Sequence, residues 1–301
     1  RSARELRPFG SMARRRVLSD TRAMTSLRSI RSADVERLSP GGSVETRADE
    51  VAVEEPLEIR ISGETLAITM RTPGNDRELV LGFLIAEGVI SSASDVASVV
   101  HCGRTTDEGR ENTIDVTLAP GVKPPVDAET GMLARRGTLV TSACGVCGRR
   151  SIEDLLARTA PLADGGRVSP EVIAAAVRSL RERQPIFART GGCHAASLVT
   201  FDGRHVATFE DVGRHNAVDK VVGARVLAGA LPLSEHLLVA SGRSSFEIVQ
   251  KALSAGIPLV ASVSAPSSLA VDLARRANVT LAGFVRDGTM TFYSGRDRLS
   301  S

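Results

Sequence analysis

From Val51 onward the apolar residues recur at two spacings, and the spacing changes wherever Gly, Pro, Asn and Asp cluster. Leu57, Ile59 and Ile61 alternate, Ser62-Gly63-Glu64 turns the chain, and Leu66, Ile68 and Met70 alternate back, which predicts a β-hairpin. Pro73-Gly74-Asn75-Asp76 then breaks the strand and caps a helix whose apolar positions are Leu79, Val80, Phe83, Leu84 and Val89. Strands are expected at 96–102 and 113–118, followed by helices near 127–136 and 151–158. This half reads as a small α+β unit.

The second half alternates more cleanly. Ser169-Pro170-Glu171 opens an amphipathic helix running to about Arg183, with proline in its first turn. A hairpin of 197–201 and 205–209 follows around Asp202-Gly203. The pattern then predicts a helix from Asn216, as N-cap, to about Leu227. Strands at 237–240, 258–263 and 279–285 alternate with helices at 245–255 and 267–277, and a short strand at 289–293 returns after Asp287-Gly288. Strand alternating with helix implies a three-layer α/β sandwich with a largely parallel sheet. Residues 1–46, rich in Arg, Ser and Gly without a sustained period, are expected to be a disordered leader. Residues 47–165 form the smaller N-terminal domain and 166–301 the α/β domain.

Composition narrows the function classes. The 301 residues have room for about two domains and a sizeable core. Aromatics are 3%, with no Trp and one Tyr, so the core is aliphatic and base-stacking platforms for single strands are disfavoured. Net charge is +3, and eleven arginines fall within the first 47 residues. The remainder is close to neutral, which argues against nucleic-acid binding by charge. No apolar run approaches the ~18 residues of a membrane span, and no secretory apolar stretch is present. A cytoplasmic, reduced protein is expected, its four cysteines at 102, 144, 147 and 193 not needed as staples.

Chemistry concentrates at Ser142-Ala143-Cys144-Gly145-Val146-Cys147-Gly148-Arg149-Arg150, just ahead of a helical pattern. The glycines let a loop expose both sulfurs. Cations and a helix N-terminus lower a thiol's pKa, and thiolate is the nucleophilic form. Zinc is a weaker reading: the other cysteines sit in the adjacent pairs His101-Cys102 and Cys193-His194, an awkward geometry for two bonds to one metal. A zinc deaminase would need a Pro where Ala143 stands and a Glu that Cys193-His194-Ala195 lacks. A thioredoxin-type pair would suit a much shorter chain.

The strand-to-helix turns offer a second constellation. Glu210-Asp211-Val212-Gly213-Arg214-His215-Asn216 packs acids, a cation and a histidine into one turn. Ser241-Gly242-Arg243-Ser244-Ser245 sets hydroxyls and a cation at a helix start, suited to a phosphate or to simple capping. Ser264-Ala265-Pro266-Ser267-Ser268 repeats that design. Ligands of open α/β sheets bind outside the carboxyl ends of strands, so Arg214, Arg243, Ser267 and Arg286 are expected to share one rim for a large phosphorylated ligand.

Cys144-Gly145-Val146-Cys147-Gly148, Gly191-Gly192-Cys193-His194, the run from Glu210 through Asp211-Val212-Gly213-Arg214-His215-Asn216-Ala217-Val218-Asp219-Lys220, Ser241-Gly242-Arg243-Ser244-Ser245-Phe246-Glu247 and Gly283-Phe284-Val285-Arg286 together resemble the formate dehydrogenase accessory sulfurtransferase family, FdhD. The resemblance extends from about Val51 to the C-terminus. It implies a cytoplasmic homodimer whose C-terminal domain has a cytidine-deaminase-like fold without the deaminase zinc ligands. It also implies a sulfurtransferase that takes persulfide sulfur from a cysteine desulfurase. That sulfur goes to the molybdenum of the bis-molybdopterin guanine dinucleotide cofactor needed by formate dehydrogenase. Carried over residue by residue, Cys144 holds the persulfide and Cys147 is relay or co-acceptor. The guanine-dinucleotide segment falls on Phe284, Val285, Arg286, Asp287, Gly288 and Thr289. No resident metal, nucleic acid or membrane is implied. The rival reading is a molybdenum-cofactor-binding chaperone without sulfur transfer, in which the cysteines only shape a loop.

Overall fold

The computed structural model describes residues 28–102, 110–123 and 160–300. The helices expected near 127–136 and 151–158, and the loop with Cys144, Cys147, Arg149 and Arg150, lie outside the described residues.

The first ordered element corrects the sequence reading. β1 (Ile30–Leu38) and β2 (Val44–Ala52) pair antiparallel as a ribbon of their own, although residues up to 46 were expected to be disordered. Charged side chains on both faces hide the alternation, and tertiary partners hold the base. Arg189 Nε donates to Glu50 at 2.7 Å, and Ser29 Oγ donates to the Pro73 carbonyl at 2.9 Å.

β3 (Glu55–Ile61) and β4 (Glu64–Arg71) form the expected hairpin. With α1 (Asp76–Glu87), β5 (Val96–His101) and β6 (Thr113–Leu118) they build a sheet of order β4-β3-β6-β5, β6 lying parallel to β3.

The larger sheet takes the rest. α2 (Pro170–Arg181) is capped by Ser169, whose side chain accepts from the Val172 N–H. Then come α3 (Pro185–Thr190), β7 (His194–Thr200), β8 (His205–Asp211), α4 (Arg214–Leu227) and β9 (His236–Ala240). α5 (Phe246–Ser254), β10 (Leu259–Ser262), α6 (Ser268–Arg276), β11 (Thr280–Arg286) and β12 (Thr289–Ser294) follow. Strand order is β12-β11-β10-β9-β7-β8.

This sheet is mixed rather than largely parallel. Only β9, β10 and β11 are parallel neighbours, while β7 runs against β8 and β9, and β12 runs against β11. Connection length is the reason: the turns at Asp202-Gly203 and Asp287-Gly288 are far shorter than the roughly dozen residues of a crossover. Two antiparallel steps restore direction, so β8 points the same way as β9, β10 and β11. Four carboxyl ends therefore open on one edge, beside the start of β7.

Alternation places successive strand residues on opposite faces. Leu238, Val260 and Leu281 face α4, α5 and α6, and Leu237, Val239 and Leu259 face Ile173, Val177 and Leu180 of α2. The first of these cores continues without a break through Val218 and Val221 of α4 into Leu79, Val80 and Leu84 of α1, and on to Leu57, Ile59 and Ile114. Both sheets thus share one interior across residues 165 and 166. Where α1 crosses α4 the backbones touch: a Cβ on Gly82 would lie 2.0 Å from the Asp219 carbonyl oxygen, and one on Gly223 would lie 1.8 Å from that of Glu78.

Candidate functional site

The turn after β8 is held by a buried brace. Lys220 Nζ lies 2.7 Å from Asp211 Oδ2 and donates to the Thr72 and Glu210 carbonyls at 3.0 and 3.3 Å. Asp211 accepts from the Thr72 and Gly213 N–H groups at 3.1 and 2.8 Å and from Asn216 Nδ2 at 2.9 Å. Asn216 Nδ2 also donates to the Met70 carbonyl at 2.7 Å. Asn216 is therefore not the helix cap expected of it. Gly213 occupies that place, and the Asn216 amide is spent tying α4 to the end of β4. Ala217 and Val218 are fully buried, and Asp219 pairs with Lys251 of α5 at 2.7 Å. Most of the Asp211–Lys220 run is thus committed to structure.

Arg214 and His215 are what the run contributes to the rim. Arg214 Nε is buried with no hydrogen-bond partner among the described residues. Burial, and then the charge of Arg243, hold the Arg214 guanidinium below its ordinary pKa, with Glu247 opposing. His194, at the start of β7, comes to the same place. Its Nδ1 is 3.5 Å from Ser241 Oγ, and burial followed by Arg214 depresses its pKa. A Cβ on Gly242 would sit 3.3 Å from His194 Nδ1 and 3.5 Å from Arg214 Cδ, so glycine lets the β9 turn close over both. Adjacent turns are stitched together. Ala195 N–H donates to Ser241 Oγ at 2.8 Å, Ser267 N–H to the Ser244 carbonyl at 3.0 Å, and Phe284 N–H to the Ser264 carbonyl at 3.2 Å. The rim so formed is cationic and rich in donors, an arrangement that suits a phosphorylated anion.

Beneath it, His215 Nε2 lies 3.0 Å from both Ser245 Oγ and Glu247 Oε2. His215 and Asp219 on α4 face Glu247 and Lys251 on α5, forming two buried rungs. Sequence reasoning gave Glu247, Lys251 and Thr72 no role. The i, i+4 spacing of His215 and Asp219, and of Glu247 and Lys251, places each pair on one helix face, but nothing local says that the two faces meet.

The other expected site residues divide. Phe284 is half exposed and Arg286, Asp287, Gly288 and Thr289 are exposed, but Val285 points into the core below α2. Only the backbone of Val285 can therefore face a ligand. Phe284 and Asp287 have φ of 52° and 49°, and the pairing of β11 with β12 slips between Gly283 and Arg286. Asp287-Gly288 is the residue pair that such a tight hairpin turn prefers, whereas the positive φ at Phe284, at the register slip, marks stored backbone strain of the kind that clusters at binding sites. Arg243 is exposed at the rim, whereas Ser267 caps α6 by accepting from the Ala270 N–H at 3.3 Å.

Cys193 turns inward, with Sγ 3.7 Å from Thr72 Oγ1, and burial pushes its thiol up to about 11. Cys193 and His194, adjacent on β7, thus point to different partners. Cys102 is half-buried, and His101 Nε2 lies 3.8 Å from Asp76 Oδ2. Among the described residues no three His, Cys, Asp or Glu side chains gather as a metal site.

Comparison with known proteins gives one consistent result. Residues 52–300 match the model of the FdhD/NarQ family. The sulfur carrier protein FdhD of Anaeromyxobacter dehalogenans (strain 2CP-1) is 55% identical over 268 residues, covering 87% of this chain and 91% of that protein. The sulfur carrier protein FdhD of Streptomyces coelicolor is 50% identical over 265 residues, covering 86% and 92%. Among solved structures, a Desulfotalea psychrophila protein provisionally assigned as a formate dehydrogenase accessory protein superposes with a TM-score of 0.70 at 25% identity, over 90% of this chain and 99% of that one.

Proposed function

Because the chain belongs to the FdhD/NarQ family, we propose that it is a sulfur carrier in the maturation of formate dehydrogenase, working through a cysteine persulfide. Relatives about half identical over most of their length are named sulfur carrier proteins. In this reading the Cys144 thiolate attacks the outer sulfur of a cysteine desulfurase persulfide. The donor's S–S bond breaks, its thiolate leaves, and a new S–S bond stands on Cys144. Cys147 exchanges the terminal sulfur onward. The cargo is the sulfur, and its acceptor is the molybdenum of the bis-molybdopterin guanine dinucleotide cofactor, which would be held by its phosphates at the sheet edge and by its guanine end at Phe284, Val285, Arg286, Asp287, Gly288 and Thr289. A cytidine-deaminase-like C-terminal unit, a homodimer and a cytoplasmic setting belong to the same proposal. Helices on both faces of a mixed six-stranded sheet support the first of these. No helix among the described residues is long and apolar enough to cross a membrane.

The observation that carries the cofactor-binding half of the reading is the rim, and the name shared by the relatives carries the sulfur half. Arg214, whose buried Nε has no partner among the described residues, lies beside the Gly242 turn with His194 and close enough to Arg243 to feel its charge, where four strands of one direction end. A cofactor-binding chaperone without sulfur transfer would use the same rim, and mass separates the two. After incubation with desulfurase and cysteine, the intact protein gains the mass of one sulfur or more, and the Cys144→Ala/Cys147→Ala variant gains none. The same variant leaves formate dehydrogenase inactive in cells lacking their own copy. Active enzyme there, or equal sulfur loading of both proteins, refutes sulfur transfer through this pair.

A further inference from the structure

The starts of α5 and α6 look alike in sequence and differ in space. Ser267 caps its own helix, whereas Ser245, at the N-cap of α5, makes no capping hydrogen bond with its side chain. Ser245 Oγ is held 3.0 Å from His215 Nε2, the nitrogen that also lies 3.0 Å from Glu247 Oε2. One ring nitrogen facing both a carboxylate and a hydroxyl has one workable arrangement. A bare Nε2 lone pair would set acceptor against acceptor at the carboxylate, so Nε2 carries a hydrogen whether the ring is neutral or charged. Ser245 Oγ then accepts from Nε2–H, and its own hydroxyl hydrogen is left to point elsewhere. The same geometry excludes a hydrolytic triad, in which hydroxyl and carboxylate engage opposite ring nitrogens.

We propose that Glu247 is a positioning residue: by fixing the hydrogen on His215 Nε2 it makes Ser245 a hydroxyl donor to a phosphate group bound at the start of α5, beside Arg214. This rests on the reading of the rim as a site for a phosphorylated ligand. Independent support comes from a further donor in the same turn. Ser244 Oγ is buried without a partner among the described residues. A phosphate offers acceptors for groups of this kind.

The test is calorimetric titration of the full chain with guanosine diphosphate and with inorganic pyrophosphate, paired with ¹⁵N NMR of the histidine rings. The wild type is expected to bind both and to show His215 with hydrogen on Nε2. Ser245→Ala and Glu247→Met should each weaken binding roughly tenfold, the worth of one hydrogen bond to a charged group. Methionine is chosen because glutamine would keep an oxygen able to accept from Nε2–H. The double variant should be no weaker than either single one, because both remove the same donor. Ser245→Thr should keep the affinity, and Glu247→Met should change the His215 ring signals. Unchanged ring signals or affinity in Glu247→Met, or additive losses in the double variant, overturn the positioning role while leaving the rim intact. Hydrogen on Nδ1 alone in the wild type overturns it without recourse to any variant. If the wild type binds neither probe, or Arg214→Ala binds both unchanged, the rim reading fails and this proposal with it.

Discussion

Within the ten residues Asp211–Lys220 lie two kinds of charge with opposite duties. Lys220 and Asp211 are 2% and 0% exposed at the side chain, and each is surrounded by partners from Thr72 just beyond β4, from the end of β8 and the start of α4, or from each other. Arg214 stands between them in sequence, and its Nε has no partner among the described residues. Density of charge in a motif therefore does not distinguish scaffold from site, whereas satisfaction of each group does. A buried ion with its hydrogen bonds complete holds the fold together, and one with a donor left over invites a ligand.

Removing the brace gives the largest effect expected. Lys220→Ala leaves Asp211 buried without its counter-ion, at a cost of about 3–5 kcal/mol. That is a large part of a domain's total stability, so urea unfolding should show a collapsed midpoint or no folded protein at all. An unfolding midpoint close to wild type would remove the distinction between brace and rim. Arg214→Ala is the counterpart. It should leave the midpoint nearly unchanged and weaken guanosine diphosphate binding by roughly tenfold or more, as calorimetry would report.

The hydroxyls sharpen the comparison at smaller scale. Ser267→Ala loses a working cap and should lower stability by about 1 kcal/mol. Ser245→Ala loses none, so its stability change should be the smaller and its loss of phosphate affinity the larger. Denaturant unfolding and titration of the two variants side by side decide this. Matching profiles would mean that the two helix starts are equivalent after all.

How far the sequence carried follows from the same physics. Alternation of apolar residues located β3 and β4, and short unbroken apolar runs located the three parallel strands, because one-sided burial forces the first pattern and two-sided burial the second. The β1–β2 ribbon escaped because charged residues line both faces and Glu50 finds its partner only in α3. α3 escaped because six residues opened by a proline carry no readable period. Asn216 was misplaced as a cap because its amide is claimed by Met70, which is 146 positions away. The rim was legible because strand-to-helix turns at one edge follow from topology. The His215–Glu247 contact was not, since helix pairing across the core decides it.

The smallest effect expected is a pH dependence, and its sign separates folding from binding. Burial, then Arg214, keep His194 below the ordinary histidine value, with Asp211 opposing. For folding, the unfolded chain binds more protons at this group once pH falls below about 6.5. Its contribution to stability is therefore complete above that value and is lost as pH falls toward the depressed folded pKa. For binding, an anion seated beside Arg214 cancels part of the repulsion that keeps His194 neutral, so the complex takes up protons more readily than the free protein. Affinity for guanosine diphosphate should then rise as stability falls, by up to about tenfold for each unit by which the ligand raises the pKa. The phosphate's own second ionisation, at about 6, works against this trend. The readout is accordingly the difference between wild type and His194→Gln at constant ionic strength. A difference that vanishes between pH 7 and 5.5, or grows in favour of the variant, would place the bound anion away from the Arg214–His194 contact and leave only the outer arginines to hold it.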